Sequence, residues 1–477
     1  MTTQRWLAHR GLSFWAFALL PLVSSFAFAG WDNRYPKVDD YSHHVYLEQH
    51  ELPFLSSGPI DPAPAPDGKT VAFAAQGWLW LLDLDSGVAR QLTDGPDLDG
   101  RPRWSADGGR LAFVRDDGVD TRIVIRDLDA GNEQIVNSPA IELDPEFSAD
   151  GKLLYYTSAR NGVLSIWRRD LASGRDEQLT DLRRTERNAR RAPNSDGLLY
   201  LNQAYPSRNV HLRDFVEGAD RIVRQTGLAM AMSFDAHPVE RSIVLNVPDG
   251  DEYHIVVVDT ANPVAERQLT PPGSYALMPA FGADGTDVYY VTPDTSQQFR
   301  LMRVPTVGGS SQEVEVREWR YASPVGELTI ITEDESGKPA PARISVRRVD
   351  GHAIAAIDGP TYFDPQNGHH YFYSGGKVTL TVPAGRYEVM AARGPLSVTA
   401  TATARVRAGR AGSAGLTIKR LWDARAAGYV SADQHVHLNA DGVYRMTLAD
   451  TLPLLAGEDL DQLFPMSWNR LDRYVDE

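Results

Sequence analysis

Three residues near the C-terminal end of the sequence have the types and the spacing of metal ligands. Asp433, His435 and His437 alternate with Gln434 and Val436, and alternate side chains of an extended strand lie on one face. Imidazole and carboxylate groups suit Zn, Mn or Fe. The spacing therefore predicts a divalent-metal site on one strand. The alternative is an ordinary strand whose polar side chains face solvent.

The residues around this triplet carry a wider pattern. Residues 432–437 are followed by Asn439 and by residues 444–445, 454–455 and 457–461. This arrangement resembles the opening of the PHP-type metal-dependent hydrolases, in their carbaryl-hydrolase-like branch. The resemblance implies that His435 and His437 bind metal, and that Asp433 either binds it or orients an imidazole. In complete members a metal-bound water attacks a phosphoester, ester or amide bond.

The sequence also departs from that family. Gln434 stands where an apolar residue is usual, and residues 421–477 are far fewer than the roughly two hundred that such a barrel needs. Residues 447–455 are the predicted first barrel helix, and residues 460–466 the predicted second strand. We therefore expect an incomplete PHP-like fragment, either from a truncated reading frame or in a chain whose barrel is completed elsewhere. No catalytic residue is assigned, and no organic cofactor is expected.

Most of the remaining chain is a repeat. Asp-Gly pairs at 67–68, 107–108, 150–151, 196–197 and 284–285 are 40, 43, 46 and 88 residues apart, and the last gap spans two periods. A degenerate turn at 238–240 supplies the missing member. Two further columns recur in the same rhythm: Asp83, Asp127, Asp170, Asp214 and Asp259; and residues 90–93, 177–180 and 267–270. The spacing indicates six units.

Each unit contains β-branched and aromatic runs joined by tight turns, enough for about four short strands. Such units predict a β-propeller, here with six blades over residues 58–319. Residues 65–73, 83–87 and 90–93 resemble the WD40-like repeat of TolB-type periplasmic propellers. That resemblance implies a partner dock, a substrate gate or a scaffold. Residues 30–57 are a candidate for the strand that closes the ring.

A second β domain is predicted over residues 320–420, where period-two alternation between Gly and Pro turns indicates an antiparallel sandwich. Residues 337–342 and 382–387 resemble the carboxypeptidase-regulatory-like sandwich, which usually spaces or docks other domains. His369 and His370 are predicted to lie in an exposed loop. The predicted fold class is thus mainly β, a propeller plus a sandwich, with a short C-terminal α/β fragment.

Two sets of propeller residues invite a functional reading. The tryptophans are predicted to pack in the core or between blades rather than to stack on a ligand: Trp78, Trp80, Trp104 and Trp167. An arginine cluster is either a solvated loop between blades or a weak docking site for an acidic partner: Arg183, Arg184, Arg187, Arg190 and Arg191.

Composition narrows the class of protein. The chain has 477 residues and a formal charge of −15, and this acidic balance without a basic stripe excludes nucleic acid as the expected partner. The lack of cysteine removes disulfides, thiolate ligands and Cys nucleophiles.

The N-terminal end predicts export. Arg5 and Arg10 precede an apolar run over 12–28 and a small-residue site at 27–29, so residues 1–29 read as a signal peptide, with an uncleaved anchor as the alternative. Residues after 29 contain no predicted membrane span, and the expected location is the periplasm.

Two functions fit these observations. The preferred one is an exported binding or scaffold module, with an envelope protein partner or substrate at the propeller and an incomplete hydrolase domain. The alternative is a PHP-type hydrolase whose barrel a longer or separate chain completes. The parent family is enzymatic, so the sequence leaves the enzymatic status of this chain open.

Overall fold

The computed structural model describes residues 52–180, 185–193, 195–204, 207–216, 218–226, 232–250, 252–364, 367–436, 443–465, 468–470 and 473–475. The predicted signal peptide and residues 30–51 lie outside these ranges.

Six antiparallel sheets, each of four consecutive strands, occupy residues 60–313 of the described chain. Blade 1 contains Ile60–Pro64, Thr70–Ala75, Trp78–Asp83 and Val88–Gln91; blade 2 contains Leu98–Trp104, Arg110–Asp116, Thr121–Asp127 and Glu133–Val136; blade 3 contains Glu142–Phe147, Leu153–Ser158, Ser165–Asp170 and Asp176–Gln178. Blade 4 contains Thr185–Arg191, Gly197–Ala204, Ser207–Asp214 and Asp220–Thr226; blade 5 contains Phe234–Ala236, Ser242–Asp249, Glu252–Asp259 and Glu266–Gln268; blade 6 contains Leu277–Phe281, Asp287–Pro293, Phe299–Pro305 and Gln312–Glu313.

The first strands of neighbouring blades pack against one another around a central axis, and blade 6 packs against blade 1. The predicted six-bladed propeller is therefore confirmed. Closure does not use the described part of the 30–57 segment, because residues 52–57 contain no strand. Instead Glu318–Arg320 adds a fifth strand, parallel to Val88–Gln91, at the outer edge of blade 1.

The repeated turns explain the Asp-Gly signature. Gly68, Gly108, Gly151 and Gly285 have φ between 66° and 75°, where glycine avoids the cost of a Cβ. Residue 197 is different, because it begins the strand Gly197–Ala204. In blade 5 the pair is replaced, and the ring nitrogen Nδ1 of His237 accepts hydrogen bonds from the backbone turn, including one from Glu240 at 2.8 Å.

Blade cores consist of the apolar side chains of these strands, and the tryptophan prediction is confirmed. Trp78, Trp80 and Trp167 are buried. Trp104 links two blades, because its Nε1 donates to the carbonyl oxygen of Ala63 at 2.8 Å. The three buried rings are not exposed for stacking on a bound ligand, and Trp104 is half-buried.

The second domain is a sandwich of two sheets around one apolar core. One sheet has the order Lys377–Pro383, Val325–Asp334, Ala411–Arg420 and Ser397–Val398; the other has the order Tyr362–Asp364, His369–Ser374, Ala342–Arg348, Gly385–Ala392 and Ala400–Val406. The pairing is antiparallel as predicted, except that Val325–Asp334 and Ala411–Arg420 run parallel.

The loop prediction for His369 and His370 is wrong. Both residues lie on the strand His369–Ser374, and His370 is only 9% exposed because that strand packs inside the sheet. The two side chains still point to opposite faces, as adjacent strand residues must, so they do not form a shared ligand pair.

The C-terminal fragment is a small α/β unit. The strand Ala432–Val436 pairs in parallel with Gln462–Pro465, and a 3₁₀ turn, Ala449–Thr451, with a helix, Leu452–Gly457, lies between them in sequence. Trp468–Arg470 and Arg473–Val475 form a separate hairpin. This order matches the predicted helix and second strand. Within the described ranges no helix has the length and apolarity to cross a membrane.

Candidate functional site

The first candidate site is the predicted metal triplet. Asp433 and His435 lie on Ala432–Val436 and are exposed, whereas His437 lies outside the described residues. The carboxylate of Asp433 accepts a hydrogen bond from the backbone N–H of His435 at 3.0 Å. One carboxylate oxygen is thus occupied by the carboxylate's own strand.

These residues have ligand chemistry but do not complete a site. No group of three or more metal-binding side chains converges among the residues that the structure describes, and catalytic zinc sites usually use three protein ligands. Asp433 and His435 alone do not fit a catalytic metal, so no hydrolytic step follows from them.

Two other carboxylates of the PHP-like pattern, Glu458 and Asp459, form ion pairs that stabilise the structure. Glu458 binds the guanidinium of Arg343 through two hydrogen bonds of 2.8 and 3.0 Å and accepts a third from the hydroxyl of Tyr373 at 2.7 Å. Asp459 pairs with Arg393 at 3.0 Å and Arg425 at 2.9 Å. The bonds to Arg343, Tyr373 and Arg393 hold the fragment on the sandwich, whereas the pair with Arg425 lies within the fragment.

The fragment also contacts the propeller. The ring of Tyr444 lies 5.6 Å from the ring of Phe299. Gln297 donates to the backbone oxygen of Arg445 at 2.5 Å, and the Arg445 guanidinium donates to the carbonyl of Gly273 at 2.9 Å. The fragment is therefore attached to both β domains.

The second candidate site is the central channel of the propeller, which the sequence did not predict. Five of the first strands contain a bulge residue with φ between 52° and 57°: Asp61, Arg101, Asp144, Asn188 and Met278. Bulges re-aim side chains, and proline is tolerated at bulges within strands. Proline follows four of these residues, and Ala189 follows Asn188. A proline that recurs in the first strand of four blades was therefore the sequence signal that could have indicated the bulges.

The channel wall is an ion-pair network rather than an apolar core. Deep in the channel, Asp144 pairs with Arg101 at 2.6 Å and with Arg187 at 3.3 Å. Towards the ends of the first strands, Asp235 pairs with Arg103 at 2.8 Å and Arg190 at 3.4 Å. Glu146 lies 3.4 Å from Arg191. Together five guanidinium groups surround four carboxylates, since Asp61 also lines the cavity.

Burial makes this wall electrostatically unusual. It raises the pKa of the Asp61 and Glu146 carboxyl groups, although nearby arginines oppose the shift. Burial, with the neighbouring charge of Arg208, lowers the pKa of Arg187 to about 9. Both shifts follow from the burial of these side chains. Because five guanidinium groups stand against four carboxylates, the channel wall carries excess positive charge, although the formal charge of the whole chain is −15.

The two ends of the channel differ. Leu52, Pro53, Phe54 and Val443, which lie outside the blades, line a cavity of about 120 Å³ together with the bulge residues. The Phe54 ring contacts Phe299, on the face where Gln297 meets the fragment. At the opposite face the Arg191 side chain is 43% exposed, against 4% for Asp144. The channel mouth is thus the end that carries Arg191.

This geometry corrects one interpretation of the arginine cluster. Arg187, Arg190 and Arg191 belong to the first strand of blade 4, and the first two are largely buried in the channel wall rather than in a solvated loop. The bulge at Asn188 interrupts the alternation between them, so that both side chains face the channel. Arg183 and Arg184 lie outside the described residues.

The fold is a six-bladed β-propeller with a charged central channel, and comparison with known proteins relates it to TolB. The profile described as the TolB beta propeller domain matches residues 46–237. The chain therefore contains a TolB-like β-propeller domain.

Individual relatives share shorter segments. The Tol-Pal system protein TolB of Gluconobacter oxydans is 33% identical over 104 residues, covering 22% of this chain and 23% of that protein. The uncharacterized protein Atu1656 of Agrobacterium fabrum is 29% identical over 126 residues, covering 24% of this chain and 42% of that protein. The chain thus spans less than half of the length of these curated relatives.

Among solved structures, TolB from Acinetobacter baumannii has a TM-score of 0.42 and 20% identity, covering 56% of this chain and 68% of that one.

Proposed function

We propose that this protein is an exported periplasmic binding or scaffold module whose propeller channel receives an envelope protein partner. The observation that supports it is the channel wall, where buried arginines and carboxylates line a cavity instead of apolar side chains. A purely structural propeller gains more stability from a packed apolar centre than from buried ion pairs. Retention of the charges favours recognition.

Export and location rest on the N-terminal signal and on the similarity to a Tol-Pal system protein. The sandwich serves in this proposal as a rigid base, because its loop at 349–361 is hydrogen-bonded to the propeller. Gln298 donates to the carbonyl of Gly359 at 2.8 Å, and Gly359 donates to that of Ser296 at 3.0 Å. The mouth at Arg191 lies on the opposite face and stays accessible.

A site-specific cross-linking experiment tests the proposal. A photo-reactive amino acid in place of Arg191 is expected to capture one discrete envelope protein in living cells. The same amino acid in place of Val264, which is 90% exposed on the outer rim of blade 5, is expected to capture none. Equal patterns at the two positions, or no product at Arg191, would contradict a partner at the mouth.

A second function is supported by the C-terminal unit. Parallel strands are usually covered on both faces by helices, and functional residues of α/β sheets gather at the carboxyl ends of such strands. Asp433 and His435 lie on one of these strands, and Phe464 on the other is 48% exposed. We propose as the alternative a PHP-type hydrolase whose barrel is completed by further chain.

Metal content decides between the two. The alternative predicts near-stoichiometric Zn, Mn or Fe in the purified protein, measured by plasma mass spectrometry, and its loss in the variant carrying His435→Ala and His437→Ala. The matched control is His369→Ala, a sandwich histidine outside the triplet. Metal that persists in the double variant would rule out these ligands, and a metal-free wild-type protein would leave the binding function alone.

A further inference from the structure

We propose that the blade 4 side of the channel binds the C-terminal carboxylate of a peptide segment. This inference rests on the proposed binding function and names the chemistry that the channel recognises.

Charge is the first reason. Three carboxylates of the wall are already paired with arginine, namely Asp144, Asp235 and Glu146. Asp61 accepts a hydrogen bond from the backbone N–H of Arg101 at 3.1 Å, and Asp144 accepts one from the backbone N–H of Asn188 at 3.2 Å. The guanidinium groups still outnumber the carboxylates, and Asp61 and Glu146 lie where burial disfavours their charged forms. An incoming anion therefore reduces the positive potential of a buried wall, where charge interactions are strong.

Two hydrogen-bonding atoms are the second reason. Among the described residues, the Oδ1 of Asn188 and the Nε of Arg190 are buried and make no hydrogen bond, although that Nε lies 3.4 Å from the carboxylate of Asp235. Asn188 lines the cavity and is 3% exposed. Buried polar atoms nearly always have a partner in native proteins. A ligand that fits donates a hydrogen bond to Asn188 and places an anionic acceptor beside Arg190, whose guanidinium it then shares with Asp235.

A peptide C-terminus meets both requirements. Its carboxylate accepts from a guanidinium, and the backbone N–H of the same residue donates to an amide oxygen. A fully deprotonated inorganic anion such as sulfate lacks the donor, and an acidic side chain holds its carboxylate farther from a backbone N–H. The cavity volume of about 120 Å³ admits a chain end but no folded element. Leu52, Pro53, Phe54 and Val443 line the inner end of the cavity, which suits a terminus rather than a chain that passes through.

The test uses three peptides with the full-length protein. They are acetyl-Ala-Ala-Ala with a free carboxylate, the same peptide as its amide, and acetyl-Ala-Asp-Ala amide. Binding is titrated by saturation-transfer NMR. The free carboxylate peptide is expected to bind at least about tenfold more tightly than the other two, since a charge-assisted hydrogen bond is worth more than one such step.

Variants locate the binding. Arg190→Gln is expected to lower the affinity for the free carboxylate peptide by about tenfold. Asn188→Asp preserves the side-chain volume, and aspartate tolerates positive φ, so the protein is expected to stay folded. The new carboxylate is expected to repel that of the peptide and lower the affinity. The control is Arg300→Gln, an exposed arginine paired with Asp294, which should leave binding unchanged.

Each result has one meaning. Equal binding of the amide peptide, or unchanged affinity in both channel variants, overturns the carboxylate site. Preference for the Asp-containing peptide overturns the assignment to a C-terminus. If these peptides fail while cross-linking at Arg191 succeeds, the carboxylate inference is wrong and the proposed function stands. If cross-linking also fails, the function itself is contradicted.

Discussion

Replacing Asp144 with alanine is expected to lower the free energy of unfolding by about 3 to 5 kcal/mol, the range for removal of one partner from a buried ion pair. The Asp144 carboxylate is 4% exposed and is shared by Arg101 and Arg187. It also accepts hydrogen bonds from Thr157 and from the backbone of Asn188. Its removal leaves two guanidinium groups close together without their common counter-charge.

Urea denaturation followed by tryptophan fluorescence measures this loss as a shift of the unfolding midpoint. Asp129→Ala is the matched control, because Asp129 is an exposed turn carboxylate and such changes usually stay within about 0.5 kcal/mol. Asp144→Asn should fall between the two, since it retains hydrogen bonding without charge. Equal midpoints for Asp144→Ala and the control would show that the network contributes little to stability.

The second large effect is a loss of stability in acid that originates at His352. This residue joins the sandwich to the propeller: its ring stacks on Trp78 with a centroid distance of 3.9 Å and an interplanar angle of 4°. Its Nε2 lies 2.9 Å from the carbonyl oxygen of Gln76, which can only accept, so Nε2 carries the proton. Burial, followed by the charge of Arg348, lowers its pKa from 6.5 to about 4.

The direction of the pH effect follows from that shift. Above pH 6.5 the histidine is neutral in both states and its protonation does not affect stability. Between pH 6.5 and 4 the unfolded chain binds a proton that the folded protein rejects, so stability falls by about 1.4 kcal/mol per pH unit. The expected total is about 3 kcal/mol at pH 4.

Comparison with His352→Phe isolates this contribution, because phenylalanine keeps an aromatic ring against Trp78 but does not titrate. The unfolding free energy of the wild type minus that of the variant should fall by about 3 kcal/mol from pH 7 to pH 4. Carboxylates with raised pKa values, including Asp61 and Glu146, titrate in both proteins, so their contributions to the pH dependence cancel in this difference. A difference that stays constant with pH would remove His352 from the acid response.

Much of the fold could be predicted because the blades are local. Each blade is formed by four consecutive strands, and turns such as Asp67-Gly68 mark its hairpins at a regular interval. The parallel pairing of Val325–Asp334 with Ala411–Arg420 escaped prediction for the opposite reason. That contact joins strands distant in sequence, and alternation specifies which face of a strand is buried but not the direction of its neighbour.

The candidate sites divide in the same way. The spacing of Asp433, His435 and His437 could be recognised in the sequence, and the metal site remains a prediction because His437 lies outside the described residues. The channel could not be predicted from the sequence. Arg101, Asp144 and Arg187 are 43 residues apart in each step, and only the packing of neighbouring blades brings both guanidinium groups within 3.3 Å of the Asp144 carboxylate.

By itself, the sequence determined the repeat, the class of fold and the order of its parts, because hydrophobic periodicity and turn chemistry act over short distances along the chain. The tertiary structure decided which charges meet. It buried Arg187 and Arg190 in the channel wall and used Glu458 to attach the C-terminal fragment. Such contacts depend on the packing of distant segments, and no local pattern encodes their geometry.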